Sequence, residues 1–240
     1  MSIAQDKKRE RIEQFFSNTG KSYDSVVNIF TLGIDRLWKK RIVEKLVAPL
    51  ARAVPPKRVL DLACGTGILT MAIAKRFPKC EVTGVDISAN YLEVAWRKVF
   101  KHKIKNVALI LSPAEEFTSQ SSFDVVTASY LAKYVDIPLL IKNLSSMIAP
   151  GGILIFHDFT YPKSPSLQSL FEAYFKLFRP LGGIFYPEWK AVFYELPNVI
   201  RATQWVAELT EALKREGFCD IQVESLTCEG SAIVSARRGL

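Results

Sequence analysis

No stretch of about 18 consecutive apolar residues, the length that spans a bilayer, occurs in the 240 residues, and the first residues lack the apolar core of a secretory signal. The expected protein is therefore made and kept in the cytosol, with no integral membrane segment. Cysteine is scarce: Cys64, Cys80, Cys219 and Cys228 form no C-x-x-C pair, and only His102 and His157 could add imidazole ligands. That spacing does not suit a structural zinc site, and no metal is expected. Acidic residues are outnumbered by basic ones, 24 against 32, for a net charge of +8. The first 58 residues hold 13 Lys and Arg against 6 Asp and Glu. Such a basic end suits nucleic acid, an anionic membrane surface, or simply a solvated helix face.

One further absence lies in the stretch Arg58-Val-Leu-Asp-Leu-Ala-Cys-Gly-Thr-Gly-Ile-Leu-Thr70. It reads as a buried strand, a tight glycine turn and a helix, with Gly65 and Gly67 leaving room for a ligand against the backbone. A dinucleotide loop would continue to a third glycine three residues after Gly67, where Thr70 stands instead. Asp61, four residues before Gly65, would repel a pyrophosphate at the helix start. It suits S-adenosylmethionine better, which has no phosphate but carries a sulfonium and an amino-acid end. Asp86 closes a second short strand nineteen residues after Gly67. That lies near the roughly 20 at which an acid grips ribose hydroxyls, in nicotinamide and S-adenosylmethionine sites alike.

From Lys57 onward apolar strands alternate with helical patterns, as in a parallel sheet with crossover helices. Strands are expected at 57–63, 81–86, 107–112, 123–129 and 152–158, and helices at 68–77, 89–102 and 137–148. A helix at 202–216 precedes strands at 218–226 and 231–237, antiparallel to each other because a short turn joins them. The fold class is α/β: a Rossmann-like, doubly wound, seven-stranded sheet, mostly parallel with an antiparallel C-terminal strand, plus an N-terminal helical lid. One domain, 1–240, divides into the lid (1–56), a cofactor-binding core (57–160), a substrate-side insertion (161–200) and a C-terminal helix with its strand pair (201–240). In the lid, residues 4–17 set Ile12, Phe15 and Phe16 among Lys7, Lys8, Arg9 and Arg11, a basic amphipathic helix. A second helical stripe, Ile34, Leu37, Trp38, Ile42, Leu46, Val47 and Leu50, ends at Pro55-Pro56. The insertion holds more large apolar residues than a turn needs, enough to line a site for a lipophilic acceptor.

Phe16, Tyr23-Asp24 and Leu32-Gly-Ile-Asp-Arg-Leu-Trp-Lys39 precede the sheet. Leu60-Asp-Leu-Ala-Cys-Gly-Thr-Gly67, Asp86-Ile-Ser88, Pro113-Ala-Glu115, Ser129 and Leu226-Thr-Cys-Glu-Gly-Ser-Ala232 follow in order. These residues resemble class I S-adenosylmethionine-dependent methyltransferases, and more closely the ubiquinone/menaquinone biosynthesis C-methyltransferase family (UbiE/MenG type). The resemblance implies S-adenosyl-L-methionine as cofactor. It assigns Gly65 and Thr66 to the cofactor loop, Asp86 to the ribose, Ala114 to the adenine edge and Ser129 to the cofactor's far side. Tyr23, Asp61, Ala63, Gly67, Ile87, Pro113 and Glu115 complete the expected cofactor set. Pro113 replaces the family's usual Asp or Asn, leaving Glu115 or a backbone carbonyl to meet the adenine amino group. After Ser129 the family's aromatic, glycine and Arg-Asn pair give way to Tyr130-Leu-Ala-Lys-Tyr134, where Lys133 keeps the charge.

Methyl transfer is an in-line displacement that gains from proximity and exclusion of water, so few catalytic groups are required. For a ring-carbon acceptor, a base near the phenolic hydroxyl helps. Asp158, at the end of the fifth strand, is the first candidate, with His157 and Tyr130 behind it; Lys133, Tyr161, Phe171 and Phe175 are the expected substrate residues. Three functions remain open: a small-molecule methyltransferase, foremost for an isoprenoid quinol; an RNA-modifying enzyme; and a cofactor-binding protein without catalysis. The Asn/Asp-Pro-Pro-aromatic signature of base N-methyltransferases is absent at Ala128-Ser-Tyr-Leu131, so nucleic acid is disfavoured. A lipophilic acceptor would bring the enzyme to the anionic inner face of the membrane, and a homodimer is compatible with the sequence.

Overall fold

The computed structural model describes residue 16, residues 18–47 and residues 55–239. The amphipathic pattern at 4–17, apart from Phe16, and the end of the second helical stripe, with Leu50, lie outside them. Two helices precede the sheet, α1 (Tyr23–Phe30) and α2 (Ile34–Lys45). The alternation then runs β1 (Arg58–Leu62), α3 (Ile68–Arg76), β2 (Glu81–Asp86), α4 (Ala89–Lys101), β3 (Val107–Leu111), β4 (Phe123–Ser129), α5 (Ile137–Met147) and β5 (Ile148–Phe159). Helices α6 (Pro165–Phe185), α7 (Lys190–Ala202) and α8 (Trp205–Arg215) follow, then β6 (Phe218–Leu226) and β7 (Ser231–Arg238).

The seven strands lie in the order β3-β2-β1-β4-β5-β7-β6. All neighbours are parallel until β7, which is antiparallel to both β5 and β6. Strand order reverses between β1 and β4, so the carboxyl ends of β1, β2 and β4 open on one crevice, where ligands of such sheets bind. Two apolar layers close the faces. Leu140, Ile141 and Leu144 of α5 and Trp205 and Leu209 of α8 cover one. Leu69 and Ile73 of α3, with Ile42 and Leu46, cover the other.

Two details differ from the sequence expectations. Leu37 and Val47, placed on the buried stripe, are exposed, because Asp35, Lys39 and Lys45 occupy part of the buried face of that helix instead. The turn expected at Pro150-Gly-Gly152 falls inside β5, as a register shift against β4 with Gly151 at φ 69°. The insertion is two helices, and α6 continues through Pro180. Close packing accompanies that turn, since a Cβ at Gly182 would fall 2.3 Å from the Phe193 ring. Val26 of α1 packs with Val192 and Phe193 of α7, which roofs the crevice.

Candidate active site

Strand β1 is followed by Ala63 at φ 50°, Gly65 at φ 56° and Gly67 at φ 79°. The Cys64 N–H donates to the Val85 carbonyl and the Gly67 N–H to the Cys64 carbonyl, so the chain turns sharply from strand into α3. Gly67 is also needed for space: a Cβ there would sit 3.2 Å from Ala95 Cβ of α4. Asp86, ending β2, accepts the Gly65 N–H at 2.8 Å on one oxygen and the Ser88 N–H at 2.9 Å on the other. Asp61 accepts the Thr70 hydroxyl at 2.6 Å and the Thr127 hydroxyl at 2.7 Å. Burial pushes both carboxyls up to about 6, against the pull of these donors. Two acids are thus fixed on either side of the glycine turn, each with lone pairs left for a ligand.

A narrow cleft of about 20 Å³ is lined by Tyr23, Lys39, Asp61, Ala63, Gly65, Thr66, Ser129 and Tyr130. Lys39 and Asp35 are a buried ion pair one helical turn apart on α2, and the Tyr130 hydroxyl donates to Asp35 at 2.6 Å. The cleft therefore presents a buried cation, Lys39, and a buried carboxylate, Asp61. Thr66 is held from outside by its hydroxyl bond to Asp24 of α1, 2.5 Å, and Lys98 bonds both Asp24 and the Thr66 carbonyl.

A second cavity of about 510 Å³ shares Tyr23, Ala63, Gly65, Ser129 and Tyr130 with the cleft and takes in Asp86, Ile87 and Lys133. It then runs under α6, against Phe171, Tyr174, Phe175 and Phe178, and α1 adds Val26, Val27 and Phe30. The size is that of a small-molecule site, and the far half is almost wholly apolar. Lys133, on its wall, bonds Asp158 at 2.6 Å, and Asp158 also accepts the Phe159 N–H. Burial lowers the Lys133 ammonium while Asp158 pulls it up, with a net lowering.

Of the expected residues, Asp158 and His157 line neither cavity; both lie behind the wall. His157 has one ring nitrogen 2.9 Å from the Ser129 hydroxyl and the other 2.8 Å from that of Ser231. Burial holds it well below its usual range, so it is a neutral ring between two serines. Tyr130, at φ 65°, stacks on Phe159 and faces both cavities. Tyr161 packs edge-on against Phe171 outside the cavity. Gly67, Pro113, Ala114 and Glu115 line neither cavity; the last three form the turn after β3, where Glu115 accepts the Asp136 N–H. The sequence reading missed Lys39 and Asp35. Their signal was two opposite charges four residues apart beside Trp38 in an otherwise apolar stripe.

A doubly wound sheet with an antiparallel seventh strand, two acids flanking a glycine turn and no third glycine defines a class I methyltransferase. Asp86 faces the larger cavity beside the glycine turn, and Lys39 and Asp61 line the narrow cleft. Residues 4–238 match the model of the ubiE/COQ5 methyltransferase family, and the chain belongs to it. It is an S-adenosylmethionine-dependent methyltransferase. Demethylmenaquinone methyltransferase of Staphylococcus aureus is 29% identical over 222 residues, 91% of this chain and 89% of its own. Among solved structures, magnesium protoporphyrin IX methyltransferase from Synechocystis PCC 6803, with bound S-adenosylhomocysteine, superposes with TM-score 0.67 at 19% identity, covering 96% of this chain and 100% of that one. Haemonchus contortus phosphoethanolamine N-methyltransferase 2, in complex with S-adenosylmethionine, gives 0.62 at 18% identity over 83% of this chain and 53% of that one. At these identities the two structures speak for the fold.

Proposed function

We propose that the enzyme methylates a ring carbon of an isoprenoid quinol of the demethylmenaquinol kind. The observation that carries this reading is the continuous cavity, polar where it meets Asp86 and Ser129 and aromatic where it passes under α6. A ring beside the cofactor loop and a prenyl tail along α6 would fill it. The name of the Staphylococcus relative supports the ring class.

When bound, S-adenosylmethionine supplies an electrophilic methyl group. The protein's part is to hold the acceptor carbon in line and keep water out, which the apolar wall does. Lys133 is the cation that faces a ring hydroxyl; its charge favours the phenolate and so raises the nucleophilicity of the ring carbon. Asp158 acts through Lys133, and His157 through Ser129, as positioning groups. Tyr130, its hydroxyl engaged by Asp35, is a wall. Thr66, Asp86 and Ile87 form the cofactor side, with the 113–115 turn outside the cavity wall, Phe171 and Phe175 form the acceptor side, and 1–240 acts as one unit. No helix of the described residues is long and apolar enough to cross a membrane. The enzyme on this reading is cytoplasmic and visits the inner membrane face to collect its acceptor.

Transfer of isotope from labelled cofactor to a panel of demethylquinols and to RNA tests the reading. Label in the quinol ring is the expected result. Label only in RNA, or in no quinol, would overturn it.

A further inference from the structure

Helix α6 has two apolar sides. The inner one lines the cavity. The outer one carries Leu170, Leu177 and Ile184 at seven-residue intervals, exposed by 58%, 60% and 70%, with Phe185 beside them at 72%. A seven-residue interval keeps side chains on one stripe of a helix, so these form a continuous ridge two turns apart at each step. An exposed ridge of this kind marks a surface that meets something apolar.

The ridge is continuous with the cavity. Leu170 lines the cavity and is exposed, and so is Leu32, 68% exposed, at the corner between α1 and α2. The tie from the Tyr174 hydroxyl to the Phe30 carbonyl holds that corner against α6. An apolar cavity thus opens between two exposed leucines at the edge of an exposed apolar ridge.

Three exposed lysines stand beside the ridge, and the carboxylates near them are engaged, Glu229 by the Lys163 and Ser164 N–H groups and Glu188 by the Ser22 hydroxyl. Lys176 is exposed next to Leu177, and Lys163 is exposed just ahead of the helix. The stem of Lys190 passes 3.6 Å from where a Cβ of Gly183 would stand, next to Ile184. The acid of α6, Glu172, is already paired with Arg201 at 2.5 Å. Two copies packed ridge to ridge about Leu177 would set Lys176 against Lys176, whereas lipid phosphates would complement all three lysines while acyl chains receive the leucines.

We infer that the outer ridge of α6 rests on an anionic lipid bilayer, with the cavity mouth at Leu32 and Leu170 turned toward the lipid. The inference deepens the quinol reading and rests on it for the acceptor, but the docking itself can be tested without any acceptor. Leu177, Ile184 and Phe185 sink into the acyl boundary and the lysines lie at phosphate level. A prenylated acceptor then reaches the aromatic end of the cavity without crossing water.

The test is sedimentation of the full-length protein with vesicles of phosphatidylcholine, with and without phosphatidylglycerol. The variant L177Q/I184Q/F185Q changes residues that line neither cavity, and calorimetry with S-adenosylhomocysteine reports whether its fold is intact. The expected result is binding to the anionic vesicles that falls about tenfold or more in the variant and falls with salt, at unchanged cofactor affinity. Replacing Lys163, Lys176 and Lys190 by Gln should remove the preference for phosphatidylglycerol. Equal vesicle binding by parent and triple variant overturns the inference. So does a parent dimer that the triple variant dissolves, which would make the ridge an interface between copies. A protein that docks through the ridge but methylates no quinol supports the inference and overturns the acceptor reading alone.

Discussion

Lys133 Nζ lies 2.6 Å from Asp158 Oδ1, and the two side chains are 2% and 0% exposed. The pair joins the loop after β4 to the end of β5 and sets a shielded cation on the cavity wall. Removing one member leaves the other charged and dry. Lys133→Met should therefore cost about 3–5 kcal/mol of stability, while Lys133→Met with Asp158→Leu should recover most of it. Urea midpoints at constant slope measure both. In the double variant, methyl transfer should stay lost although the fold returns; activity equal to the parent would remove the pair from the reaction.

Asp86 is held by two backbone N–H groups with its carboxylate open to the cavity. Asp86→Ala should weaken cofactor binding by about 2 kcal/mol, the worth of charge-assisted bonds to ribose. Burial raises its carboxyl, like that of Asp61, from 3.8 to about 6. The folded protein thus binds more protons than the unfolded chain between those values, and stability falls as pH rises through the window. Cofactor affinity should run the other way, weakening below pH 6 as Asp86 loses its charge. Urea midpoints and calorimetry at matched pH read the two trends, and Asp61→Asn should flatten the first.

Lys39 is the buried cation of the narrow cleft. Lys39→Met should lower affinity for S-adenosylhomocysteine about tenfold or more, and leave 5′-methylthioadenosine, which lacks the amino-acid end, nearly unchanged. Equal losses for both ligands would place Lys39 in the fold rather than in recognition.

Phe171 and Phe175 meet at 4.7 Å between ring centres on the cavity wall. Truncating both to Ala should raise KM for a long-chain prenylated quinol more than for a short-chain one, with kcat little changed. An equal rise for both acceptors would mark the rings as packing.

The parts of this site that were legible are those written in consecutive residues. Val59 to Leu62 needs only its own apolar run to be a buried strand, and Gly65 and Gly67 announce the turn that follows. Asp86 was found by its distance from that turn. What stayed hidden depends on neighbours far along the chain. Lys133 meets Asp158 only because β4 and β5 pair, and the Asp35–Lys39 pair gains its place in the cleft only when Tyr130 closes over it. In α6, Pro180 and the Gly182-Gly183 pair argue against a long helix, and contact with α7 overrides them.

Helix α1 reaches the cofactor loop through Asp24 and the acceptor cavity through Val26, Val27 and Phe30. Eight residues of one rigid element therefore belong to two sites at once. If filling the cofactor site shifts Thr66, its bond to Asp24 carries the acceptor wall by the same stroke. Linkage then requires an occupied acceptor cavity to retain the cofactor by an equal factor.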